Sequence, residues 1–135
     1  MLMWQNAPID MAMYYNARIT SSYGGLFDPL TWGPAKTFYS FKAFNSLYKL
    51  ENQVRADSDD YSLLTVAARK DQEVAVMISN YSDQDKLVNI EGLGELKDEI
   101  VYVIDENKTL ELMDCRLEKK GVIKKETVLL IVGKL

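Results

Sequence analysis

Flat aromatic rings with polar tips, next to a cation, are the first residues here that could do chemistry. Tyr14, Tyr15 and Arg18 stand together in "IDMAMYYNARITSSYGGLFD" (9–28), and Trp32 follows shortly after. Such rings suit the C–H faces of pyranose sugars, and equally suit packing between a strand and a helix. Arg18 could hold a carboxylate of a ligand, or make an ion pair within the protein. The chain has no histidine. That excludes a Ser-His-Asp triad, a Cys-His pair and an imidazole base, and leaves carboxylates, lysines and tyrosines for any proton transfer.

The remaining candidates have plainer readings. Asp59-Asp60 and the Asp83/Asp85 pair lie in hydrophilic stretches beside apolar runs, where aspartate serves local backbone hydrogen bonding. A single cysteine, Cys115, cannot close an intramolecular disulfide or, without histidine, build a zinc site, and reads as a half-buried small side chain in a strand. Gly24-Gly25 lacks the rest of a phosphate-binding fingerprint and reads as a tight loop. No metal and no cofactor is expected. With a net charge of −4 and a pI near 4.9, the chain has no basic field for nucleic acid or an anionic membrane.

The elements that must position these residues fall into two grammars. "PAKTFYSFKAFNSLYKL" (34–50) spaces Phe38, Phe41, Phe44, Leu47 and Tyr48 by threes and fours, which predicts an aromatic-faced helix. Pro34 is expected in its first turn, with Thr31 or Gly33 as cap. After a polar connector, "ENQVRADSDD" (51–60), the period changes to two. Runs at 61–69, 73–81, 86–93, 99–106, 109–117 and 126–135 are separated by turn-forming residues, 121–125 offers a further short strand, and Lys119-Lys120 and Lys124-Lys125, flanking Gly121, read as a solvated hairpin. The fold class is mainly β: an antiparallel β-sandwich of six to seven strands, preceded by a strand-loop-helix segment. "IDMAMYY" is apolar on both faces and predicts a strand covered on each side. One strand-loop-helix unit cannot bury itself, so the first fifty residues look like the end of something larger.

In order, "IDMAMYYNAR", "SSYGGLFD", "KTFYSFKAFNSLYKL" and "VAARKDQEVAVMISNYSD" resemble the C-terminal end of bacterial retaining (β/α)8-barrel glycoside hydrolases, near the β-xylosidase-like members. The resemblance implies that 1–50 are a remnant of the last βα unit of the barrel and 51–135 an accessory β-sandwich that packs on it. It implies that Tyr14, Tyr15, Asn16 and Arg18 edge the mouth of a sugar pocket, with Trp32 a further carbohydrate contact. The catalytic carboxylates of such enzymes, about 5–5.5 Å apart in the retaining mechanism, sit on earlier barrel strands. No residue here matches either, so no hydrolase activity is expected of this chain alone.

The expected partner is therefore the catalytic barrel of the parent enzyme. A free-standing carbohydrate-binding sandwich and a self-associating interaction module are the alternatives, and isolated copies are expected to form homo-oligomers. No apolar run approaches the ~20 residues of a membrane span, and the opening residues lack a signal peptide's basic start. As written, the chain reads as cytoplasmic, although a parent enzyme could be secreted.

Overall fold

The computed structural model describes residues 1–5, 7–14, 25–113 and 120–135. A 3-10 turn at Leu2–Trp4 leads to helix α1 (Lys36–Tyr48) and then strands β1 (Asn52–Val54), β2 (Leu63–Lys70), β3 (Glu73–Asn80), β4 (Lys86–Asn89), β5 (Lys97–Ile104), β6 (Thr109–Leu112), β7 (Lys120–Ile123) and β8 (Thr127–Lys134). Six strands form one antiparallel sheet in the order β1-β2-β3-β8-β5-β6, and β4 with β7 forms a second. The chain is mainly β and antiparallel, as its period-two runs predict.

The large sheet is buried on both faces because its central strands alternate between two apolar layers. Ala67, Val76, Ile78, Val101, Val103, Leu129 and Ile131 face one core, which Ile123 of β7 closes. Val66, Ala68, Ala75, Met77 and Leu130 face the other, which α1 closes with Ala43 and Leu47. A strand buried on both faces reads as a near-continuous apolar run, and "VAVMISN" in β3 is one. Gly133 lies where β8 passes Leu96. A Cβ there would sit 3.0 Å from the Leu96 Cβ and 3.1 Å from the Lys97 carbonyl oxygen, so the approach needs a bare backbone.

Several expectations shift. There are eight strands among the described residues rather than six or seven, because Asn52–Val54, read as part of the polar connector, pairs with Ala67–Arg69 at the sheet edge. An edge strand exposed along its length needs no apolar alternation, so hydropathy hides it. Within "IDMAMYY", the described residues 9–14 form no ladder, and Tyr15 lies outside the described residues. A strand is a paired object, and among the described residues no partner strand is offered to this one. Helix α1 starts at Lys36 with Ala35 as N-cap and no side-chain cap. Pro34 instead bridges Phe27 ahead of the helix. Tyr48, counted in the buried stripe, is 75% exposed, whereas Leu47 is 3% exposed. The sheet selects the Ala43-Leu47 line, and small Ala43 lets the helix axis come close. Cys115 and Lys119 lie outside the described residues.

Candidate functional site

The loop 26–35, "LFDPLTWGPA", is closed on itself before the helix begins. Phe27 and Pro34 bridge, Asp28 N donates to Gly33 O at 2.8 Å, and Ala35 N donates to Leu26 O at 2.8 Å. Inside it the Asp28 carboxylate is the organising group. Its Oδ1 accepts from Thr31 N at 2.7 Å, Leu30 N at 2.9 Å and the Thr31 hydroxyl at 3.1 Å. These donors, led by the Thr31 amide, hold the Asp28 carboxyl below its usual range. A carboxylate so held stays ionised and is a poor proton donor.

The same turn presents Trp32. Its amide donates to Asp28 O at 3.0 Å, its φ is +60°, and its side chain is 71% exposed. A bulky residue in the left-handed region is strained, and the closed loop imposes that conformation. The packing reading of Trp32, an indole wedged between strand and helix, is thus replaced by an indole displayed to solvent.

Tyr14 is placed differently. Its ring meets Phe41 of α1 edge-on, centroids 5.2 Å apart, and Phe27 meets Phe38 at 5.7 Å. Phe38 and Phe41 are three residues apart on α1 and share a face, so Tyr14 and the Trp32 loop approach the same aromatic stripe. Tyr15, Asn16 and Arg18 lie outside the described residues. Two of the five sequence-selected residues are therefore located: Tyr14 against Phe41, and Trp32 exposed on a loop that reaches Phe38 through Phe27.

The "ISNYSD" stretch carries structure. Asn80 is buried and donates through Nδ2 to the carbonyls of Gln84 (2.8 Å), Lys124 (3.0 Å) and Ile123 (3.1 Å). Its Oδ1 accepts from the Ser82 hydroxyl at 2.7 Å and the Ser82 amide at 3.1 Å. One side chain thereby ties the end of β3 to the end of β7. The carboxylate pairs behave in the same way. Asp60 binds Lys86 Nζ at 2.8 Å and the Ser62 hydroxyl and amide at 2.6 and 2.8 Å, contacts that keep its carboxyl well below its usual range. Asp85 binds Lys124 Nζ at 2.8 Å and Lys125 N at 2.9 Å, and is lowered too.

Sequence reasoning missed Asp28, Asn80 and Lys36. The signal for the first was its place two and three residues before amides it can cap. For Asn80 it was the Asn-x-Ser spacing. Lys36 sends its ammonium to the carbonyls of Asp105 and Glu106, a contact with no trace in local sequence. Tyr61 and Tyr81 also emerge as a surface pair: Tyr81 Oη donates to Tyr61 O at 2.8 Å, and the Tyr61 side chain is 95% exposed.

This arrangement of helix, six-stranded sheet and small second sheet has counterparts among solved proteins. It shares its fold with part of two xylanases. One is a glycoside hydrolase family 30 subfamily 8 xylanase, Xyn30A, from Clostridium acetobutylicum (TM-score 0.63, 12% identity), matched over 82% of this chain and 31% of that one. The other is a family 30 endoxylanase from Clostridium papyrosolvens (TM-score 0.58, 13% identity), over 78% of this chain and 29% of that one. A conserved exported protein from Bacteroides fragilis is similar over 59% of this chain and 18% of its own (TM-score 0.51, 20% identity). The chain thus spans under a third of the length of each of these proteins. No family model and no curated protein matches it.

Proposed function

We propose that residues 1–135 are the non-catalytic C-terminal accessory portion of a glycoside hydrolase of the β-xylosidase-like kind. In this reading 1–50 supply the last strand, loop and helix of a (β/α)8 barrel, and 51–135 are the sandwich that buttresses it. The observation that carries the reading is the match of most of this chain to less than a third of a xylanase chain. Met3, Trp4, Met11, Met13 and Leu30, in the first third of the chain, are exposed apolar side chains that a barrel would cover.

The chain's contribution to chemistry is positional. The Asp28 turn holds Trp32 outward, and Phe41 holds Tyr14, so that both rings can edge a sugar pocket whose carboxylates come from elsewhere. Assay of the isolated chain on xylan and xylo-oligosaccharides tests this. No hydrolysis is expected, and turnover abolished by replacing any carboxylate of this chain would overturn the reading.

A second reading, a carbohydrate-binding sandwich, draws on the Tyr61-Tyr81 pair. Saturable binding of xylo-oligosaccharide lost in Tyr61→Ala or Tyr81→Ala, yet kept in Trp32→Ala, would favour it.

A further inference from the structure

Helix α1 has a weak beginning. Its N-cap, Ala35, offers no side-chain cap, its first turn holds no acidic residue, and Lys36 puts a cation at the end where the helix dipole is already positive. Its fully buried residues, Ala43 and Leu47, come later, and Tyr39 is only partly buried against the same core.

The Trp32 loop depends on that beginning. Ala35 N donates to Leu26 O at 2.8 Å, so the base of the loop and the N-cap of the helix are one point. Among the described residues no hydrogen bond joins 26–34 to a strand, and the ring contact of the loop, Phe27 on Phe38, is again with α1. Whatever places the first turn of α1 therefore places Trp32.

Lys36 supplies the hold. Its ammonium reaches the carbonyls of Asp105 and Glu106, 69 and 70 residues further on, in the turn between β5 and β6. That turn is shaped to offer them. Asp105 N donates to Lys108 O at 3.1 Å, and Asp105 Oδ1 accepts from the amides of Asn107 and Lys108, both at 2.8 Å. With those amides satisfied by a carboxylate, the turn has carbonyls to present, and a cation is the donor that binds carbonyls most strongly. The charge that weakens the helix in isolation is thus the charge that fastens it to the sheet.

We infer that Lys36 is a positioning residue, through which the β5-β6 turn of the sandwich fixes the first turn of α1 and with it the Trp32 indole. Its functional sense rests on the reading of Trp32 as a sugar contact: the accessory sandwich then sets the place of a ring that works in the barrel's site, besides burying surface. The two readings fail separately, because loop order is measured on the isolated chain and needs neither sugar nor turnover.

The test is amide hydrogen exchange followed by NMR, comparing the Asp28 and Ala35 amides with those of β3 and β8, together with the mobility of the Trp32 indole N–H from its relaxation. In Lys36→Met, exchange at Asp28 and Ala35 should quicken about tenfold and the indole should become more mobile, with the sheet amides unchanged. Lys36→Arg, which keeps a long cation, should stay near the parent values. Asp105→Ala, a change in the sandwich turn, should loosen the loop as Lys36→Met does, and the double variant should be no looser than either single one. A loop that keeps its order in Lys36→Met or in Asp105→Ala would overturn the inference. So would effects that add in the double variant, a Lys36→Arg chain as loose as Lys36→Met, or losses shared equally by the sheet.

Discussion

At the scale of single residues, the polar side chains with most influence are ones that organise backbone. Asn80 satisfies three carbonyls and the Ser82 amide and hydroxyl from a site with almost no solvent. Asn80→Ala strands these groups, and urea denaturation should show a loss of about 3 kcal/mol. Trp32 poses the opposite case, an exposed side chain on a strained backbone. Trp32→Asn places a residue tolerant of left-handed φ in the same turn and should stabilise the chain by roughly 0.5 kcal/mol, read as a raised urea midpoint. Asp60 sets a pH dependence. Its folded carboxyl lies below the ordinary 3.8, so its stabilising effect is complete above that pH and is lost as pH falls through the folded value. Urea midpoints measured from pH 6 down to pH 2 should fall less steeply in Asp60→Asn than in the parent sequence.

At the scale of elements, the period of the apolar residues tells most of the story and burial on both faces tells the rest. The runs at 63–70, 73–80, 97–104 and 127–134 could be read because each feeds apolar side chains to one or both cores. β1 could not, since an exposed edge strand of "NQV" has no hydropathy signal. The strand expected in 9–15 illustrates the converse: apolar alternation proposes a strand, and only a neighbouring edge makes one. In α1 the spacing gave the helix but not which side faces in. Five aromatic and aliphatic residues compete for the sheet, and close approach at Ala43 decides for Leu47 over Tyr48. Leu47→Ala should therefore cost about 3 kcal/mol in thermal or urea unfolding, and Tyr48→Ala should change stability by less than about 0.5 kcal/mol. The close approach at Gly133 had no local signal either, because what makes it necessary is the passage of Leu96, a residue distant in sequence.

At the scale of the whole molecule, the six-stranded sheet is packed by α1 on one face and by the β4-β7 pair on the other. The candidate sugar contacts were only partly legible: Trp32 and Tyr14 stand where aromatic side chains can be displayed, but the groups that hold them, Asp28 and Phe41, act through turn geometry and helix packing. The central claim is that this chain positions rings for chemistry supplied by another part of an enzyme. Isothermal titration of the isolated chain with xylo-oligosaccharides, on samples whose mass is fixed by light scattering and with product analysis of the same solutions, tests it most directly. The account predicts neither hydrolysis nor saturable binding. Saturable binding that disappears in Tyr61→Ala or Tyr81→Ala would contradict it and make the sandwich a carbohydrate-binding module in its own right.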